Sequence, residues 1–225
     1  MSVLRFQVDG ESLELRPQVG VVAGFTGRDS EDVAHHIEEL EREGVPAPEE
    51  VPSFYLVAPA TLVQRDAIDV STGRTSGEAE IALLCDGQDT YVTLASDHTD
   101  RGAETLDIAL SKQVCPKIFA ATAWRYEEVA ERWDELTLRS WIDEDGERVA
   151  YQEGVAASLI APVDLLERMP FARRPERFVL LTGTVAVLGA IRAAERFSAE
   201  LGDPSEGRAI TLDYEVRPLD RLLGA

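Results

Sequence analysis

The segment SGEAEIALLCDGQDTYVTLASDHTDR (76–101) holds the residues whose types and spacing are best suited to chemistry. In a strand, residues two apart share a face, so Glu78 and Glu80 point the same way, and Ala79, Ile81, Leu83 and Cys85 make an apolar opposite face. A turn at Asp86–Asp89 folds the next strand back antiparallel. With Cys85 opposite Thr90, Glu78 lies opposite Asp97, and three carboxylates converge at one end of the hairpin. Like charges placed opposite one another are destabilising, and partly buried ones need a cation. Hard carboxylate oxygens suit Mg2+, Mn2+ or Ca2+ better than zinc. The alternative for the same spacing is a solvated acidic face.

His35, His36 and His98 are the only histidines, and His98 falls inside SDHTDR, beside the expected metal. Residues 31–43 (EDVAHHIEELERE) predict a helix capped by Asp29 or Ser30, ended by Gly44 and Pro46, with a buried stripe of Val33, Ile37 and Leu40. His36 flanks that stripe with Glu39 at i+3, while His35 and Glu38 point to solvent. A carboxylate in that position orients an imidazole as a base; an ordinary surface pair on an acidic helix is the alternative. The two lysines, Lys112 and Lys117, stand against 20 arginines and both fall in SKQVCPKIF. A lysine beside a metal stabilises a developing oxyanion. Cys115 lies between them, either as a thiol of lowered pKa or as a packed structural one. In VLLTGTVAVLG, the backbone N–H groups at the Gly-Thr turn and the Thr184 hydroxyl offer a carboxylate-binding nest, the alternative being a plain strand-to-loop turn.

The elements that must position these groups are mostly strands. Asp9-Gly10 marks an opening hairpin. Beyond the proline-rich connector 45–52, strands are expected at FYLVA, LVQRDAIDV, EAEIALLC, TYVTLAS, LTLRSWI, RVAYQEG, RFVLLTGTVAVLG and AITLDYEVRPL. Helical patterns cover roughly 124–136, with Val129, Trp133 and Leu136 on one face, and 161–169. Trp124, Trp133 and Trp141 are expected to pack a core or an interface. Segregated helices and strands mean α+β. Residues 1–50 are expected to form an N-terminal strand hairpin and lid helix, and 51–225 the main β-rich domain carrying the candidate chemistry, the two making one compact unit.

The chain of 225 residues is long enough for one large core. Its net charge of −20 excludes nucleic acid or an anionic membrane as a partner held through a broad basic face. No run approaches the roughly 18 apolar residues of a membrane span, and no secretory signal is visible. The two cysteines fit free thiols in a reducing compartment, so a soluble, cytoplasmic protein is expected.

Taken in order, the motifs resemble those of the fumarylacetoacetate hydrolase superfamily: a helical H-x-x-E, then E-x-E, D-x-T-x-R-D, K-x-x-x-C-P and L-T-G-T-P. Here they stand as His36–Glu39, Glu78-Ala79-Glu80, Asp97-His98-Thr99-Asp100-Arg101-Gly102, Lys112–Pro116 and Leu181-Thr182-Gly183-Thr184-Val185. The likeness covers roughly residues 20–216 and is nearest to a bacterial and archaeal branch known as a domain of unknown function. It implies a mixed β-roll with a few peripheral helices, commonly a homodimer. It also implies Mg2+ on Glu78, Glu80 and Asp97, and His36 with Glu39 as a water-activating pair on a lid. Lys112 would be the oxyanion partner, with Arg101, Gly183 and Thr184 positioning the site or a small anionic substrate. Superfamily members act on 2-oxo acids and related dicarbonyl compounds, the metal chelating the keto and carboxylate oxygens and stabilising an enolate-like intermediate. The expected activity is a metal-dependent C–C bond hydrolase or lyase. Isomerase, hydratase or decarboxylase chemistry at the same site is an alternative, as is a non-catalytic oxo-acid binding protein. Two departures stand out: the Lys of the superfamily's F-x-K-P segment is replaced by apolar residues around Leu56–Ala58, and the last Asp of D-x-T-x-R-D is Gly102.

Overall fold

A computed structural model describes residues 2–42 and 44–223. Strands β1 (Leu4–Val8) and β2 (Glu11–Leu15) form the expected hairpin, with Asp9 and Gly10 at the positive φ values that a tight turn requires. Strand β3 (Val19–Gly24) leads to helix α1 (Ser30–Arg42), which Asp29 caps by accepting from the N–H groups of Glu31 and Asp32. Val33, Ile37 and Leu40 are the half-buried face of α1, and none of its residues is fully buried. The helix therefore rests on the body rather than in it. Glu43, its expected last residue, lies outside the described residues.

Strands β4 (Ser53–Val57), β5 (Leu62–Val63), β6 (Ala67–Val70), β7 (Thr75–Ser76), β8 (Ala79–Cys85), β9 (Thr90–Asp97) and β10 (Thr99–Asp100) follow. LVQRDAIDV, expected as one strand, is split into β5 and β6, which join different sheets. The chain leaves the first sheet at Gln64, whose side chain donates to the carbonyls of Arg5 and Ala120. Two short helices, α2 (Arg101–Glu104) and α3 (Ile108–Val114), precede β11 (Lys117–Arg125). The single helix expected over 124–136 is corrected. Trp124 and Arg125 end β11, α4 is only Tyr126–Val129, and a 3-10 segment, Ala130–Glu135, carries on. Arg132 leaves helical geometry there, its guanidinium held 2.8 Å from the buried Asp203 carboxylate. The remaining elements are β12 (Thr137–Glu144), β13 (Glu147–Val155), α5 (Pro162–Arg168), β14 (Phe178–Thr184), β15 (Arg196–Asp203) and β16 (Arg208–Pro218).

Among the described residues, a nine-stranded sheet runs β2-β1-β11-β9-β8-β14-β3-β4, with β5 also on β11, and a five-stranded sheet runs β13-β12-β15-β16-β6. The large sheet curls, because β4 at one end leads through the turn Pro59–Thr61 into β5 on β11. The first fifty residues thus supply strands to the same sheet as the later ones. Strand β8 is buried on both faces. Ala79, Ile81 and Leu83 pack toward the second sheet with Leu138, Phe197 and Tyr214, while Ala82 and Leu84 pack inside the curl with Phe6, Leu62 and Phe119. Trp124 and Trp133 join the first core, and Trp141 is half-buried beneath the Arg148 guanidinium. The architecture is a mixed α+β roll. Among the described residues no helix is long and apolar enough to cross a membrane.

Candidate metal centre

The hairpin β8–β9 has the register its turn dictates. Cys85 pairs with Thr90 and Ala79 with Ser96, and the Asp97 N–H donates to the Glu78 carbonyl at 2.9 Å. Glu78, Glu80 and Asp97 each present a carboxylate oxygen, the three lying within 4.8 Å of one another at the floor of a cavity of about 610 Å3. Glu80 and Asp97 are buried and Glu78 nearly so, which removes the solvated acidic face as an account of the spacing.

Their electrostatic surroundings differ. Asp97 lies between two ammonium groups, Lys112 at 2.5 Å and Lys117 at 2.8 Å. Burial opposes its ionisation, but the two lysines outweigh burial and hold the carboxyl far below its usual range. Even so, among the described residues neither Asp97 oxygen accepts a hydrogen bond of good geometry. Burial likewise opposes ionisation of Glu78, and Arg101 at 3.1 Å together with Lys112 at 3.5 Å brings its carboxyl below the ordinary value. Among the described residues, Glu80 has no cation within ion-pair distance. Its one hydrogen bond comes from the Gly183 N–H at 2.7 Å, so burial, reinforced by the Asp97 charge, pushes its carboxyl well above the usual range. A divalent cation would relieve that cost. Three carboxylates converging on one point, with both Asp97 oxygens short of well-formed hydrogen bonds and Glu80 lacking a counter-charge, fit Mg2+, Mn2+ or Ca2+.

The K-x-x-x-C-P segment works as a corner. Asp107 caps α3 by accepting from the Leu110 N–H, and Gln113 accepts from the Ala58 N–H, so the helix is clamped at both ends. Lys112 leaves its last turn and also donates to Thr99 Oγ1 at 3.1 Å. After Cys115-Pro116 the chain enters β11, where Lys117 stands directly opposite Asp97 in the β9–β11 ladder. Lys117 is fully buried, donates to the His98 carbonyl at 2.6 Å, and is brought below the ordinary lysine value by that burial. Cys115 is a packed thiol: burial pushes it up to about 11 despite its lysine neighbours.

Arg101 bridges Glu78 and Glu104 and donates to Ser76 Oγ, so the Arg101–Glu104 pair is an interior element of the site rather than a surface one. Asp100 caps α2 through the N–H groups of Gly102 and Ala103. His98 turns away from the carboxylates into the core. Its ring nitrogens meet Tyr214 Oη at 2.9 Å and Thr75 Oγ1 at 2.8 Å, and burial lowers its pKa to about 3. It is a structural histidine. His36 lines the cavity beside Phe25, while Glu39 is not among the lining residues. Glu39 stands 3.9 Å from His36 and 3.2 Å from His35, and all three side chains are more than half exposed.

The LTGT segment ends β14 in a bulge, the ladder with β8 stepping from Leu181–Ala82 to Thr184–Glu80. The Thr182 hydroxyl donates to the Ile81 carbonyl and the Thr184 hydroxyl to the Ala79 carbonyl. Thr184 lines the cavity, but its hydroxyl is committed to the backbone between the two glutamates.

Gln152 was not singled out by sequence, and it ties these parts together. Its amide oxygen accepts from the Ala79 N–H and the Ser140 hydroxyl, and its amide nitrogen donates to Thr184 Oγ1 and the Val185 carbonyl. All four groups are satisfied from a residue on the second sheet, so Gln152 fixes the backbone on which Glu78 and Glu80 are carried. Gln152→Leu is expected to weaken Mg2+ binding about 10–100-fold, the usual effect of removing an outer-shell partner. Calorimetric titration well below the melting temperature would read this, and unchanged affinity would mean the glutamates do not depend on the clamp.

The family model described as "Protein of unknown function (DUF2848)" matches residues 23–214. The chain belongs to that family. No curated protein matches the sequence of this DUF2848 chain. Among solved structures, a yeast protein of the fumarylacetoacetate hydrolase family is 17% identical, with 90% of this chain and 94% of that one aligned at a TM-score of 0.65. A Burkholderia cenocepacia protein provisionally described as a fumarylpyruvate hydrolase is 17% identical over 97% of this chain and 96% of that one, TM-score 0.64. A 2-keto-3-deoxy-D-arabinonate dehydratase complexed with magnesium and 2,5-dioxopentanoate is 16% identical over 90% of this chain and 73% of that one, TM-score 0.61. The DUF2848 chain therefore has the fold of the fumarylacetoacetate hydrolase family, as the order of its motifs implies.

Proposed function

We propose that this DUF2848 protein is a divalent-metal-dependent hydrolase or lyase acting on a 2-oxo acid or related dicarbonyl compound. The observation that carries the reading is the convergence of Glu78, Glu80 and Asp97 within 4.8 Å at the floor of a cavity. The dehydratase of like fold, which holds magnesium with a dicarbonyl compound, supports it. When bound, the ion would act as a Lewis acid on the oxygens of the substrate head. Glu78, Glu80 and Asp97 would hold it. Lys117 keeps Asp97 ionised and oriented. Lys112 Nζ, at the edge of the carboxylate group, is in position to meet negative charge developing on a substrate oxygen. Arg101 pairs with Glu78 through one guanidinium nitrogen at 3.1 Å, and the Gly183 N–H holds Glu80. His36, on the lid face that lines the cavity, would take a proton from water, with Glu39 orienting the ring.

Incubation with Mg2+ or Mn2+ and a panel of oxaloacetate, an acylpyruvate and fumarylpyruvate tests this, with products identified by mass. Metal-dependent turnover of at least one is expected; binding of all without turnover would leave only an oxo-acid binding protein. His36→Ala is expected to lower hydrolytic turnover by about 10²-fold or more, the usual contribution of a positioned base, while His35→Ala keeps most of it. Equal losses would contradict the assignment of His36. One observation favours a second reading, isomerase, hydratase or decarboxylase chemistry at the same centre: Glu39 lies nearer to His35 than to His36. In that case His36→Ala would leave turnover largely intact. A homodimer belongs to the same proposal, and light scattering that gives a monomer at micromolar concentration would remove it.

A further inference from the structure

The cavity above the carboxylates is larger than a three-carbon oxo-acid head requires, and much of the remaining wall is apolar. Phe25 and Val33 contribute from the lid side, Ile108 from α3, and Leu159, Val187 and Ile191 from the facing loops. The permanent cations that reach this space are all committed. Arg28 places two nitrogens on Asp134, at 2.8 and 2.9 Å, and its third on the Leu159 carbonyl at 3.0 Å. Arg101 donates to Ser76 and Glu104 and keeps its other terminal nitrogen 3.1 Å from the Glu78 carboxylate as an ion pair without a well-formed hydrogen bond, deep at the carboxylate end. Lys112 is shared among Asp97, Glu78 and Thr99. Six lining carboxylates face these three cations, so even with a divalent ion added the wall lacks positive charge. His36, the other basic side chain on the wall, packs beside Phe25 at a ring separation of 6.2 Å and has Glu39 nearby.

We infer that the substrate's arm beyond its oxo-acid head is apolar and uncharged, and that it seats against Phe25, Val33, Leu159, Val187 and Ile191. The inference rests on the oxo-acid reading above and goes further, to specificity. A carboxylate at the end of the arm would lose its hydration and find no free cation, besides meeting Asp29 and Asp32 at the lid. An alkyl arm would instead remove apolar wall from water.

The test uses the full chain loaded with Mg2+ and three probes followed by calorimetry: oxalate, 2-oxohexanoate and 2-oxoadipate. The last two share a six-carbon chain and differ only in a terminal methyl against a terminal carboxylate. 2-Oxohexanoate is expected to bind at least tenfold more tightly than 2-oxoadipate. Ile191→Lys, a change at a half-buried loop position, is expected to shrink or reverse that ratio, and Val33→Lys on the lid serves as the second variant. If oxalate binds but 2-oxoadipate matches or exceeds 2-oxohexanoate, the apolar-arm assignment is overturned while the head-group reading stands. A ratio that neither lysine variant alters overturns the placement of the arm. If none of the three probes binds the Mg2+-loaded protein, the oxo-acid reading fails and the arm fails with it.

Discussion

Glu80→Gln is expected to abolish the Mg2+-dependent rise in melting temperature and to cut turnover by about 10³-fold or more, the scale of losing several kcal/mol of Lewis-acid stabilisation. A ligand that binds only the folded state at 100 times its Kd adds about 2.7 kcal/mol of stability, so the wild type should show a clear shift in millimolar Mg2+. The metal-free variant should be at least as stable as the metal-free wild type, because the wild-type carboxylate is buried with only the Gly183 N–H as partner. Burial first, and the Asp97 charge second, raise the folded-state pKa of Glu80 well above its ordinary 4.5. Between those two values the folded state binds the extra proton, so metal-free stability falls as pH rises through the window and is recovered below pH 4.5. Glutamine removes that contribution. Melting curves with and without Mg2+ at neutral pH check both parts, and a persisting Mg2+ shift in the variant would mean that the ion binds elsewhere.

Gly183→Ala is the second large effect. Gly183 has φ +98°, a region that costs other residues about 1–3 kcal/mol, and an added Cβ would stand 1.8 Å from Thr26 Oγ1 and 3.0 Å from Thr26 Cβ. The same residue donates the one hydrogen bond that Glu80 accepts among the described residues, so displacing it disturbs a proposed metal ligand as well. A loss of more than about 3 kcal/mol is expected, with weakened Mg2+ binding in whatever fraction folds. The Thr26→Ala, Gly183→Ala double variant removes the 1.8 Å contact with Oγ1 but neither the 3.0 Å approach to Cβ nor the dihedral, and should recover part of the stability. Full recovery would mean the positive φ carries no cost, and a harmless single substitution would mean the bulge is more pliable than its hydrogen bonds imply.

The parts of this site that sequence made visible are those fixed by local geometry. The four-residue connection Asp86–Asp89 sets the β8–β9 register, and that register alone brings Glu78 opposite Asp97. The stripe of α1 follows from helical periodicity and places His36 toward the cavity. Contacts between distant segments stayed hidden. Lys117 reaches Asp97 because β11 pairs with β9, and its Ala-rich strand, KIFAATAWR, gives little alternation to announce it. Strands β3 and β15 were likewise not anticipated, and α3 is too short to show a periodicity. Gln152 clamps Ala79 from 73 residues away, and His98 is turned into the core by Tyr214, 116 residues on. The motif order conveyed the family fold because it preserves the sequence positions of contacts that no local rule encodes. It did not convey the commitment of Thr184 and Arg101 to holding Glu78, Glu80 and their backbone.

The most direct measurement is a crystal structure of the protein grown with Mg2+ and oxalate. One ion bound by an oxygen from each of Glu78, Glu80 and Asp97 at about 2.0–2.1 Å is expected, with oxalate completing its coordination beneath α1. An ion held elsewhere, or Lys112, Lys117 and Arg101 left as the only cations against these three carboxylates at saturating Mg2+, would contradict it.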